Sequence, residues 1–324
     1  MNTEAERKTL KKMPKRALAY CGIVFVILIW GIYPIIADDL LEFYSGGAFS
    51  FAGTLISALA LTLICIPKLG RLDRSYFRVA LPTGFFVGLA NLLQKIGLRY
   101  STPTLYAFLE NLSCVAVPLL LFLFIRKKPS LLTVAAGVLC LAGCFILSGA
   151  VSAGGFSFGA GEILCALAGI LYGVNIAATG VFAKKLDAML YVMVQMWAQA
   201  AVSGTALIAL DRITVGGEPI EKAVFSFSLR HLLILAGLVL AISTLGWIIR
   251  TEALKQVDAA AVAVLMPFSS VVTGAVAVIA GKDVFSPALL IGGIVILAAS
   301  VLSGIADARE EKASEKDTNG GQTP

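Results

Sequence analysis

LRYSTPTLYAFLENLS at residues 98–113 and LKQVDAAAVAVLMPFS at residues 254–269 can be laid one over the other. The offset that places Leu98 on Leu254 also places Lys127 on Asp283, Ser130 on Ser286 and Gly137 on Gly293, and a slightly different offset places Trp30-Gly31 on Tyr172-Gly173. A chain that repeats itself at half its length predicts two halves of like topology. Outward from these segments, apolar runs predict helices near 17–37, 46–67, 79–98, 104–125, 131–150, 160–183, 188–210, 231–254, 258–281 and 286–306. Five runs fall in each half. Five is odd, so the second half threads the bilayer in the opposite sense to the first.

The solvent for these runs is lipid. Of 324 residues, 58% are apolar and only 14% charged, with a mean hydropathy of +0.90, which is too apolar for a water-soluble domain. The runs are long and nearly continuous rather than short and alternating, so backbone polar groups close on themselves in helices and not in a β-barrel. The fold class is therefore all-α and polytopic, with ten transmembrane helices as two inverted five-helix repeats. The formal charge of +6 invites a nucleic-acid reading, but the basic residues lie in the connections between apolar runs, which is a topology signal. With the amino terminus inside, 20 Lys and Arg fall on the inner side and six on the outer, namely Lys95, Arg99, Arg212, Lys222, Arg230 and Lys282. Both termini are expected in the cytoplasm and the chain in the cell membrane. Residues 1–16 form a basic segment, 17–150 and 151–306 the two repeats, and 307–324 a polar tail expected to be disordered. The first apolar run is too long for a secretory leader core and is followed by Asp38-Asp39 rather than a cleavage site, so it is read as a retained span.

This sequence resembles the drug/metabolite transporter superfamily, and within it the ten-helix EamA-type transporters. The resemblance is carried by Trp30-Gly31, by GEILCALAGILYG from Gly161, by the proline of LMPFSSVVTG, and by Asp283-Val284-Phe285-Ser286 followed by Gly292-Gly293. The glutamate usual in the closing pattern is Asp283 in the second half and Lys127 in the first, while the first-half proline position holds Asn111. The resemblance implies an alternating-access secondary carrier, an exporter or exchanger of a small metabolite such as an amino acid or amphipathic cation.

Polar groups inside spans mark candidate sites, because an ionisable residue at membrane depth costs about 2.5–3.5 kcal/mol or more. Glu110 lies in the fourth run with Tyr106 one turn before it and Asn111 beside it. It is read either as a proton or cation coupling site touching substrate, or as the static partner of Lys95 across the hairpin of helices three and four. Asn91, Gln94 and Lys95 form a polar stripe that lipid would reject. Trp30 and Tyr33 on helix one, and Tyr172 and Asn175 on helix six, suit either a cavity wall or an interfacial anchor. Trp247 and Arg250 share a face of helix eight, where Arg250 could hold a carboxylate or snorkel to headgroups beside Glu252. Gln195 and Gln199 at i, i+4 are read as packing. Gly84, Gly88, Gly169 and Gly173 are read as close-approach positions, and Pro267 as a hinge.

Enzyme chemistry lacks its parts. The single histidine, His231, has no nucleophile or carboxylate constellation in the sequence around it, and Gly281-Lys282 fits no phosphate loop. Six cysteines lie in apolar runs; Cys140 and Cys144 share a face but have no histidine to complete a metal site. Neither metal, cofactor nor nucleic acid is expected, and the partners are a small-molecule substrate, the lipid bilayer and protons. Monomer and dimer fit equally. The alternatives are an intramembrane transferase acting on a lipid-linked substrate, which would want carboxylates or histidines clustered in the inner loops, and a non-transporting sensor or scaffold.

Overall fold

A computed structural model describes residues 3–100, 109–148, 159–215, 218–219, 222–281 and 284–320, with side chains from residue 15 to 310 except Asp38, Lys95, 98–100, Val215 and Glu218. Helix α1 spans Thr3–Leu41, α2 Gly46–Cys65, α3 Arg74–Tyr100, α4 Ser113–Ile125 and α5 Leu131–Leu147. Then come α6 Ala160–Phe182, α7 Ala188–Arg212, α8 Leu229–Ala253, α9 Ala259–Ile279 and α10 Pro287–Gly320. Eight of these are long and apolar enough to cross a membrane, and α4 and α5 are shorter apolar helices. The protein is an all-α, multi-pass membrane protein. Its only strands among the described residues are β1 Thr214–Val215 and β2 Glu218–Pro219, a two-residue ladder in the loop before α8.

Several helices start where a short polar side chain takes a first-turn amide. Ser45 accepts from Ala48, Ser130 from Thr133, Asp187 from Met189 and Leu190, and Asp258 from Ala260. The polarity of the bundle is that of a protein in lipid. Leu63, Leu123 and Ile279 point outward, whereas Ser57, Thr83, Asn175, Gln195 and Arg250 are buried among the helices.

Helix pairing has an internal regularity. α3 packs on α6 and α8 on α1; α4 packs on α6 and α9 on α1; α2 packs on α7, and α5 on α10. Replacing every helix by the one five places along returns the same set of pairs. Two glycines show the correspondence in detail. A Cβ on Gly31 would fall 2.5 Å from Val272 Cβ and 3.0 Å from the Ser269 carbonyl, and one on Gly173 would fall 3.2 Å from Ala116 Cβ and 3.5 Å from Ser113 Cα. The sequence offsets given above align Gly31 with Gly173, Ser113 with Ser269 and Ala116 with Val272. Gly84 and Gly88 likewise let α3 approach Ala198 and Val202 on α7.

At both ends the helices extend beyond the predicted spans. The basic amino-terminal segment is helical from Thr3, continuous with the first span. The tail is not disordered from Asp307: α10 runs on to Gly320. Asp307 is bonded to Arg16 and, at 2.5 Å, to the Tyr20 hydroxyl, while Glu310 pairs with Lys127 at 2.8 Å. Those anchors, with the strong helix formers of ADAREEKASEK, hold a turn that composition alone would release.

Candidate functional site

The polar interior is built first from α3, α6 and α7. Thr83, four residues after Val79, spends its hydroxyl hydrogen on a carbonyl of its own helix and accepts from Gln195 Nε2 at 2.9 Å. The Tyr191 hydroxyl lies 2.8 Å from Thr83 Oγ1 and 2.9 Å from Thr179 Oγ1. Two turns further along α3, Asn91 Oδ1 accepts from the Tyr172 hydroxyl at 2.6 Å, and Gln94 lies 3.0 Å from the same hydroxyl. Asn91 also reaches Gln199 at 3.5 Å. A phenol has one proton to give, so with Asn91 taking it the Gln94 contact is satisfied when the Gln94 amide nitrogen is turned toward the phenol oxygen.

On the α1 and α8 side, the Trp30 and Trp247 ring centroids are 5.6 Å apart. The Arg250 guanidinium sits 4.2 Å from the Trp247 centroid and 5.8 Å from that of Trp30. It donates to Asn175 Oδ1, whose orientation is fixed because Nδ2 donates to the Thr83 carbonyl at 3.3 Å. Arg250 is 3% exposed, its Nε has no hydrogen-bond partner, and it makes no ion pair among the described residues. Stacking on a desolvated indole recovers about 2 kcal/mol of the burial cost. A charge this deep would ordinarily be paired.

These two constellations are counterparts. The offset that aligns Leu98 with Leu254 aligns Asn91 with Trp247 and Gln94 with Arg250, and the other offset aligns Trp30 with Tyr172. Each thus sets an aromatic on the first helix of a half against two residues one turn apart on the third helix of the other half. In one the partners are neutral amides. In the other they are an indole and a cation.

Helices α4 and α9 break at matching places. In α9 the ladder's last bond before the break runs from the Met266 amide to the Val262 carbonyl, Met266 and Pro267 form a turn, and Ser269 and Ser270 return to Met266 and Pro267 at 3.0 Å. Before α4, Leu109 and Glu110 are helical, Asn111 and Leu112 form a turn, and Cys114 and Val115 bond to Asn111 and Leu112 at 3.1 Å. Asn111 occupies the place of Pro267. Glu110 packs its backbone on Gly169 and lies within electrostatic reach of Tyr172 and Cys165. Helix α8 has its own irregularity, a π-helical stretch at Val239–Thr244 that brings Thr244 Oγ1 within 2.9 Å of Ser57 Oγ.

The structure therefore brings together Trp30, Asn91, Gln94, Tyr172, Asn175, Trp247 and Arg250, with Glu110 and Asn111 at the adjacent break. Tyr33 stands edge-on to Phe49, 6.5 Å between centroids, at the margin of this group. Tyr106 lies outside the described residues, as does the Lys95 side chain, so the Lys95–Glu110 pair falls outside them too. Three readings are corrected. Arg250 does not snorkel, because it is buried between indoles and Glu252 instead pairs with Lys255 at 2.6 Å. Tyr172 is no interfacial anchor, since its hydroxyl is used inside the bundle. Gln195 and Gln199 are more than packing, being members of the buried network. Sequence reasoning missed Thr83, Tyr191 and Thr179. The spacing of Tyr191, Gln195 and Gln199 at successive i, i+4 steps was the available signal.

At the end of the bundle that the basic residues assign to the inside, charges close the gaps between helices. Lys68 pairs with Asp187 at 3.1 Å and Lys127 with Asp258 at 2.5 Å, beside the Lys127–Glu310 and Arg16–Asp307 contacts. Burial alone would raise the Asp187 carboxyl, but the Lys68 ammonium and the Leu190 and Met189 amides outweigh it and hold it below the usual range. Burial likewise works to lower the Lys127 ammonium, and Asp258 with Glu310 turns the balance upward.

Residues 17–149 match the EamA-like transporter family. A crystal structure of a protein 18% identical in sequence superposes with a TM-score of 0.70, covering 91% of this chain and 99% of its own. It is one of 29 matching solved chains. No curated protein matches in sequence.

Proposed function

We infer from the EamA-like match at residues 17–149, together with the fold of a solved structure over most of its length, that the chain belongs to the drug/metabolite transporter superfamily. From that premise we propose a secondary active carrier that moves a small metabolite outward, or exchanges it, by alternating access. The carrier has two inverted halves, residues 17–150 and 151–306, and sits in the cell membrane with both termini in the cytoplasm. The observation that carries this reading is the interior itself: two counterpart polar and aromatic constellations beside two helices broken at equivalent positions. Non-helical backbone at membrane depth is tolerated where it is buried in protein or lines a cavity, and a pair of breaks at equivalent positions of the two halves supports the second. Equivalence of the halves lets the bundle rock between two conformations of similar energy.

Glu110 couples the cycle to protons. It stands at the break of the fourth helix, beside the Tyr172 hydroxyl pair, where a change in its charge alters what the Asn111 turn can hold. Purified protein in liposomes tests this: a pH gradient drives solute uptake unchanged in chemistry, and Glu110→Gln retains folding but loses the response to the gradient. Uptake in Glu110→Gln that still follows the gradient removes Glu110 from the coupling. Solute that emerges chemically altered, or no flux at all, removes the carrier reading.

A further inference from the structure

Resting on the carrier reading, we propose that Arg250 is the receptor for the carboxylate of a small organic monoanion, which selects anionic over cationic substrates for this chamber. Three observations lead there.

Arg250 carries a charge that the architecture does not need. Its counterpart Gln94 occupies the equivalent place against Tyr172 and closes the same helix contact with a neutral amide. The charge is also uncompensated. Its one hydrogen bond is to the amide oxygen of Asn175, and Nε, aimed into the buried interior, has no partner. A guanidinium has five N–H donors in a planar fork that fits a carboxylate through two parallel bonds. Finally, the surroundings leave the anion to be supplied from outside. Around the guanidinium stand two indole faces and the neutral Asn175, Tyr191 and Tyr172, while the nearest acid along the helix, Glu252, is taken by Lys255. The same field repels an amphipathic cation. The indoles supply apolar walls for the body of the substrate, and a monoanion balances one guanidinium where a dianion would leave an excess charge among neutral groups.

The test uses the purified full chain in detergent, with thermal unfolding and tryptophan emission as readouts, because Trp30 and Trp247 flank the proposed site. Phenylacetate, phenethylamine and phenyl phosphate are matched probes. Phenylacetate should raise the unfolding temperature and change the emission, and the other two should not. Arg250→Gln should weaken phenylacetate binding by at least about tenfold, with Arg250→Lys between it and the wild type. Without ligand, Arg250→Gln should unfold at or above the wild-type temperature, since it replaces an uncompensated charge by the residue its counterpart already carries. A wild type indifferent to phenylacetate, an equal response in Arg250→Gln, or a preference for the amine or the phosphate overturns the proposal. The two readings fail separately. Phenylacetate bound through Arg250 without flux in liposomes sinks the carrier and leaves the site; flux that persists at the wild-type rate in Arg250→Gln sinks the site and leaves the carrier.

Discussion

Tyr172 shows how much one hydroxyl does in a lipid-solvated bundle. Removing it by Tyr172→Phe takes away the donor that Asn91 Oδ1 accepts from, so stability should fall by about 0.6–1.5 kcal/mol. A denaturation series against the wild type measures it, and an unchanged midpoint would deny the hydroxyl that role. Charged and amide residues inside spans were visible in the sequence because each is expensive there, and Asn91, Gln94, Asn175 and Arg250 do converge. Thr83 and Thr179 were invisible for the complementary reason. A threonine that can bond a carbonyl of its own helix, as Thr83 does to Val79 at 2.7 Å, bears little membrane cost and so leaves no mark. Pairing, too, was beyond sequence reach. That Arg250 faces indoles rather than headgroups depends on the rotation of α8, which the hydropathy of a helix apolar nearly all round does not fix.

Among the elements, the breaks in α4 and α9 were legible to different degrees. Pro267 announces itself, since it removes a ladder donor and clashes with the preceding turn. Asn111 does so only through its alignment with Pro267. The π stretch of α8 had no signature, because Val239–Thr244 reads as part of an ordinary apolar run. Close approach of α6 to the break at Asn111 depends on Gly169, where a Cβ would overlap the Leu109 carbonyl oxygen. Gly169→Ala should therefore destabilise by about 1–3 kcal/mol and slow transport. Gly70→Ala, with nothing within 4 Å of the added atom, should do neither. Equal effects from the two substitutions would remove the packing argument.

Across the whole molecule, the end of the bundle that carries Lys68 and Lys127 is tied by ion pairs, and the interior by polar contacts in which Arg250 is the one charge the described contacts include. Asp187 both caps α7 and holds Lys68, and its folded carboxyl lies below the ordinary value near 3.9. A depressed carboxyl contributes stability that is present above its unfolded value and lost as the pH falls through its folded one. Below about pH 4, the wild type should lose stability more steeply than Lys68→Met, and parallel acid unfolding curves would deny the pair a role. The opposite sign holds for Lys127, whose raised ammonium contributes stability below its ordinary value and loses it only in strong base. The tail was misread at this scale. Its composition is that of a solvated segment, but Asp307 and Glu310 bind residues distant in sequence, which no local window can show.

Opening to one side at a time is the claim on which the rest depends, and it can be measured without knowing the substrate. Spin labels at exposed Arg71 and Lys128, at the basic end of the bundle, and in a second protein at exposed Glu42 and Val284, at the other end, report the opening of each end once exposed Cys21 is replaced by serine. Pulsed dipolar distances should show two populations for each pair, and the pH or phenylacetate condition that lengthens the Arg71–Lys128 distance should shorten the Glu42–Val284 one. A single unchanging distance at both mouths, or both lengthening together, would contradict the account.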